Sequence, residues 1–157
     1  MMVGTDRLFA PAAFSLFLLF FLLYSLPFCT PAQTADFATI TTTMHRDKSF
    51  NREINAFNPF DTMYVLADFH DLKPGTYNLL TDWQSPWGSL EHQSIHTFVI
   101  EKITPSYKVF SWLRLWKNGP FKRAVTGEEY KKEFYGMWEV VLYLNGNQVA
   151  KNIFEVR

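Results

Sequence analysis

Four histidines, His45, His70, His92 and His96, and a scatter of aspartates are the residues of this chain best suited to bind a metal or move a proton. His92, Ser94 and His96 fall at alternate positions. On a strand they share one face, with residues two apart separated by ~6–7 Å and residues four apart by about twice that. His92 and His96 are then too distant to chelate one ion. A helix would bring them together, but Ser94, Ile95, Thr97, Phe98 and Val99 favour a strand. A metal-binding periplasmic protein using His92 or His96 would need His70, Asp68 or Asp71 from a neighbouring strand; otherwise these residues form a solvated polar face. Asp61, Asp68, Asp71 and Asp82 offer oxygen ligands for calcium but lack the alternating spacing of an EF-hand loop. Acidic residues at strand ends also cap turns. Ser85, Ser89, Ser94, Ser106 and Ser111 have no nucleophile-elbow context, and no Gly-rich loop is present to cradle a phosphate. The expectation is therefore no catalytic residue, no metal site and no cofactor.

The aromatics point to recognition instead. In SYKVFSWLRLWK, strand alternation puts Phe110, Trp112, Arg114 and Trp116 on one face and Tyr107, Val109, Ser111, Leu113 and Leu115 on the other. The aliphatic side suits a core. The other side would display two Trp, a Phe and an Arg, residue types enriched at binding hot spots. Trp87, in SPWG, is a second candidate at a loop tip, where binding residues concentrate. The competing expectation is that the charged loop 118–133 covers the aromatic face, or that the inner and outer faces are inverted. Lys122, Arg123, Lys131 and Lys132 in that loop are offset by Glu128, Glu129 and Glu133 and read as a solvated surface.

These residues need strands to position them, and the chain supplies strand patterns. Aromatics form 18% of the residues, a bias towards half-buried pleated surfaces. TMYVLADFH alternates, with Met63, Val65, Ala67 and Phe69 opposed to Tyr64, Leu66, Asp68 and His70. The Pro-Gly of DLKPG is a turn, and TYNLLTDWQ alternates again, with Tyr77, Leu79, Thr81 and Trp83 on one side. LEHQSIHTFVIE is a longer, more polar strand. The chain closes on GMWEVVLYLNGNQVAKNIFEVR, two alternating runs around Asn145-Gly146, the strongest short hairpin signal. Trp138, Val140, Leu142 and Leu144 line the inner face there, with Phe154 and Val156 on the returning strand. No segment is convincingly an amphipathic helix; GEEYKKEFYG offers a turn or two. About seven strands over this length predict an all-β antiparallel sandwich.

The N-terminus predicts the compartment. Arg7 precedes an apolar run from Leu8 to about Cys29, followed by TPAQTA, where Thr30 and Ala32 suit a signal-peptidase cut after Ala32. An uncleaved anchor is the alternative, since the run is long enough to span ~30 Å of hydrocarbon. Cys29 is the single cysteine. Pro27 and Phe28 before it are poor lipoprotein-signal residues, so lipidation is not expected. After cleavage no thiol remains, and neither disulfide nor thiolate chemistry is available. A cysteine-free exported domain suits a bacterial periplasm better than a disulfide-stapled secreted fold. The formal net charge of zero argues against a nucleic-acid partner. The expected organisation is a signal peptide or anchor over 1–32, a leader and first edge strand over 33–50, and a sandwich over 51–157.

FDTMYVLADFHDLKPGTYNL, the W-x-x-P-x-G of Trp83, Pro86 and Gly88, and the closing Gly136, Trp138, Val140, Gly146, Phe154 and Val156 resemble the small immunoglobulin-like domains exported by bacteria, often in uncharacterised proteins. The resemblance covers the chain from about Asn51 onward and implies an immunoglobulin-like β-sandwich. Such domains serve as adhesins, assembly modules, chaperone-like subunits and ligand binders, and the fold alone does not choose among them. The sequence thus predicts a non-enzymatic exported module, periplasmic or extracellular or anchored to the inner membrane. It would bind an envelope protein through Trp87, Phe110, Trp112, Arg114 and Trp116. A carbohydrate-binding module is the alternative, and membrane contact is expected only through an uncleaved N-terminus. Intact mass of the protein recovered from an envelope fraction is expected to match a chain starting at Gln33; a mass retaining residues 1–32 identifies an anchor.

Overall fold

The structure, a computed structural model, describes residues 39–157. The expected signal segment, the cut after Ala32 and Cys29 lie outside the described residues. Among the described residues eight strands run in chain order: β1 (Thr39–His45), β2 (Ala56–Phe57), β3 (Thr62–Leu72), β4 (Gly75–Gln84), β5 (Leu90–Ile100), β6 (Thr104–Arg114), β7 (Gly136–Leu144) and β8 (Asn147–Val156). They form two sheets, β1-β3-β6 and β2-β8-β7-β4-β5. All pairings are antiparallel except the short β2–β8 contact. β1 is an edge strand, paired with β3 from Thr39↔His70 to His45↔Tyr64. The eighth strand beyond the expected seven is β2, two residues long.

Period-two alternation decides which side chains meet. Met63, Val65, Ala67 and Phe69 of β3 face inward, opposite Tyr77, Leu79, Thr81 and Trp83 of β4 and Trp138, Val140, Leu142 and Leu144 of β7, and all are buried. Two aromatic layers hold the sheets together. In one, the Phe154 ring meets Trp83 edge-on at 5.9 Å, stacks on Trp138 at 6.2 Å and meets Phe57 at 5.4 Å. In the other, Phe98 of β5 stacks on Tyr107 of β6 at 4.7 Å and on Tyr77 at 5.5 Å. Buried indoles need partners for their N–H groups. Trp138 donates to the Phe134 carbonyl at 2.7 Å. Trp83 donates, at a long 3.4 Å, to Ser111 Oγ, which lies 2.8 Å from Ser94 Oγ.

The closing hairpin turns on Asn145 (φ 50°) and Gly146 (φ 83°), both in the left-handed region that its twist requires. The Asn145 side chain also accepts a hydrogen bond from the Asn78 amide at 2.9 Å, tying the turn to β4.

The helical expectation moves. GEEYKKEFYG gives only a single 3-10 turn, Lys132–Phe134, whereas α1 forms at Pro120–Thr126. Proline in the first turn supplies a helical φ where no N–H is needed, and Gly127 (φ 71°) closes the helix through its N–H to the Arg123 carbonyl. A first-turn proline and a glycine C-cap outrank the weak periodicity that GEEYKKEFYG offers.

At the start of β7, Gly136 sits at φ +127°, and an added Cβ would lie 3.2 Å from Pro86 Cγ. Strain and contact act together there. Gly136→Ala is expected to destabilise the fold by about 2 kcal/mol, read as a lower midpoint in urea unfolding followed by circular dichroism.

Candidate functional site

Because Val109, Ser111, Leu113 and Leu115 commit one side of β6 to the interior, Phe110, Trp112 and Arg114 project outward. Trp116 follows just past the strand and is 86% exposed; Trp112 is 50% exposed. The loop 118–133 reaches this face through Tyr130 but leaves Trp112 and Trp116 exposed. A different segment reaches Phe110. The β1–β2 connection folds back, with Phe50 at φ 52°, and packs the Phe50 ring 5.5 Å from Phe110 and 6.1 Å from Tyr64. Lys48 Nζ lies 5.8 Å from the centre of the Phe110 ring, within cation–π range. His45, buried, holds that connection through its Nδ1, 2.9 Å from the Arg52 carbonyl, and its Nε2, 2.7 Å from Thr43 Oγ1.

The candidate residues therefore divide. Phe110 belongs to a closed aromatic cluster on the outer face. Trp112, Arg114 and Trp116, joined by Leu115, Lys117 and Tyr130, line a groove of about 420 Å³. A cleft of about 120 Å³ adjoins it at the open edge between the sheets, where Glu91, His92 and Phe134 face Trp112–Trp116. Trp87 stands apart, 77% exposed on the β4–β5 turn and lining neither cavity. That turn is set by the Ser85 amide donating to the Ser89 carbonyl and the Gly88 amide to the Ser85 carbonyl, each at 2.9 Å.

The groove is cationic as well as aromatic. The Arg114 guanidinium makes no hydrogen bond or ion pair among the described residues. Lys117 lies 5.7 Å from the Tyr130 ring centre and pairs with Glu129. That hydrogen bond holds the lysine above its usual range and the Glu129 carboxyl below its own, so both are charged at neutral pH. Lys117, Tyr130 and Glu91 carried no signal in the sequence. Lys117 directly follows Trp116, whereas Glu91 lies on β5 and Tyr130 in the β6–β7 loop, and only the folded chain brings those two to the tryptophans.

The other candidates for chemistry are dispersed. No group of three His, Cys, Asp or Glu among the described residues could hold a metal ion. His96 packs on the Phe98 ring at 6.0 Å, while His92 borders the cleft. Asp61, buried, accepts from the Asn58 amide at 2.8 Å and pairs with Arg46 at 3.0 Å. Asp68 accepts from Ser106 Oγ at 2.7 Å, and Asp82 accepts from Gln93 at 2.8 Å. Each of these three aspartates serves local structure.

The two sheets, ordered β1-β3-β6 and β2-β8-β7-β4-β5 with the buried Trp83 on β4, have the strand order of an immunoglobulin-type sandwich. No family model matches the chain, and no curated protein matches it in sequence. Among solved structures, the alkylpurine DNA glycosylase AlkC of Pseudomonas fluorescens, solved bound to DNA containing an abasic-site analogue, is similar over 76% of this chain, at TM-score 0.46 and 11% identity. The chain spans 31% of that enzyme. An immunoglobulin-like protein of Pseudomonas aeruginosa is similar over 76% of this chain and 93% of its own, at TM-score 0.41 and 11% identity.

Burial separates the tryptophans into two groups. Trp83→Ala removes a core ring and is expected to lower stability by about 3–5 kcal/mol. Trp116→Ala is expected to change it by less than about 0.5 kcal/mol while removing a large share of acrylamide-quenchable tryptophan fluorescence. Paired unfolding and quenching measurements check both.

Proposed function

We propose that this protein is a non-enzymatic binding module, exported across the membrane by its N-terminal segment, that holds a protein partner at the cell envelope. The observation that carries the reading is the groove at the end of β6, where Trp112 and Trp116 flank Arg114. Protein hot spots combine large aromatic area with an arginine beside a concave, partly desolvated site. A guanidinium with no internal partner supplies the directional contact, and the indoles supply apolar area with few torsions to freeze. Phe110 plays a supporting part, since Phe50 and Tyr64 already pack against it. Trp87 offers a second contact at a loop tip.

Carbohydrate binding in the same groove is the second reading. Trp112, Trp116 and Tyr130 around one cavity favour it, because flat aromatic rings stack on sugars. The two readings separate in one experiment. The full-length chain, wild type and Trp112→Ala/Trp116→Ala, serves as bait for envelope extract, with circular dichroism to confirm folding and a parallel titration of neutral oligosaccharides followed by tryptophan fluorescence. A protein retained by wild type and lost by a folded double variant is expected. Fluorescence quenching by oligosaccharide without protein capture supports the carbohydrate reading, and equal capture by both baits rejects the groove.

A further inference from the structure

The connection between β6 and β7 contains a projecting element that the groove does not use. Its neck is closed. The Asn118 amide donates to the Glu129 carbonyl at 2.8 Å, the buried Asn118 side chain donates to the Glu128 carbonyl at 2.9 Å, and Lys117 pairs with Glu129. Beyond this neck stands α1, Pro120–Thr126, in which no residue is buried. Phe121 and Val125, four apart and so on one helix face, are 83% and 71% exposed. A helix is ordinarily stabilised by burying its apolar face. Here Pro120 in the first turn and the Gly127 C-cap hold the helix, and its apolar face has no cover among the described residues.

Charge and exposure indicate the missing cover. Residues 114–133 include six Lys or Arg and three Glu in a chain of zero net charge, so this segment is net positive by three and the rest net negative by three. Lys122 and Arg123, between Phe121 and Val125, form no ion pair among the described residues. Two exposed apolar side chains thus stand beside two cations that form no ion pair among the described residues. A protein hot spot needs a well-packed pocket around its anchors, whereas a fluid lipid interface closes around a protruding side chain. Apolar groups beside Lys and Arg on a short helix are the chemistry of interfacial binding to anionic lipid.

We infer that α1 docks this domain on an anionic lipid surface, with Phe121 and Val125 entering the headgroup boundary and Lys122 and Arg123 engaging lipid phosphates or carboxylates. The site differs from the Trp112–Trp116 groove and stands or falls separately.

The test reads insertion locally, so that the apolar N-terminal segment does not register. The full-length chain carrying Cys29→Ser receives an environment-sensitive dye at Val125→Cys or, as a control in the β5–β6 turn at the other end of β6, at Lys102→Cys. Each is mixed with vesicles of phosphatidylcholine alone or containing phosphatidylserine. A blue shift at position 125 with the anionic vesicles only, and none at 102, is expected. Lys122→Glu/Arg123→Glu is expected to weaken that response by about tenfold or more. No shift at 125, an equal shift with neutral vesicles, or an undiminished response in the charge-reversed variant overturns the inference. So does a shift produced by soluble polyglutamate but not by vesicles, which assigns α1 to an acidic protein instead.

Discussion

The fold depends on Trp83. This indole lies fully buried between the sheets, meets Phe154 edge-on and sends its N–H towards Ser111 on the opposing sheet. The described residues contain no cysteine, so no covalent bridge joins the sheets. Aromatic packing does this work, through Trp83, Phe154 and Trp138 in one layer and Phe98, Tyr107 and Tyr77 in the other. Interiors packed to crystal-like density leave little room for a one-residue slip. Ser111 is held to Trp83 and Ser94, and Leu113 lies in the core, so the register of β6 is fixed.

That register has an outward consequence. Alternation on β6 sends Phe110, Trp112 and Arg114 to the surface because Ser111 and Leu113 are committed inside. The aromatic surface thus follows from the core. Its subdivision follows from two loops. The β1–β2 connection, anchored by buried His45, places Phe50 against Phe110. The β6–β7 connection, pinned at Asn118, supplies Lys117 and Tyr130 to the groove and carries α1 away from it. One end of the sandwich, where β4 and β6 finish, therefore bears Trp87, Trp116 and Phe121, all exposed. Recognition elements on loops over a rigid sandwich are a common use of this architecture.

Much of this was legible in the chain itself. Strict alternation in TMYVLADFH and GMWEVVLYL identified the inner residues, because a buried sheet face admits few polar side chains and the period of a strand is two. Asn145-Gly146 identified the hairpin, because its turn needs positive φ at consecutive positions. The two-sided apolar pattern of SYKVFSWLRLWK showed that one face would be aromatic and the other aliphatic. What it lacked was the means to say what lay over the aromatic face. Phe50, some sixty residues earlier, meets Phe110 through a loop with no periodic signal, and the loop 118–133, the nearer candidate, contributes Tyr130 to the groove and leaves the tryptophans exposed.

By itself the sequence determined the long strands, the closing hairpin and which side chains of those strands seek the interior. These are local properties, set by backbone sterics and by the transfer of apolar surface out of water. Only the tertiary structure decided that Phe110 is shared with Phe50 and Tyr64, that Arg114 has no partner, that Lys117 and Tyr130 complete a groove with two tryptophans, and that Phe121 and Val125 are left uncovered. Those outcomes depend on which loops cross which face once two sheets have closed on Trp83, and closure brings together residues whose separation along the chain carries no trace of their contact.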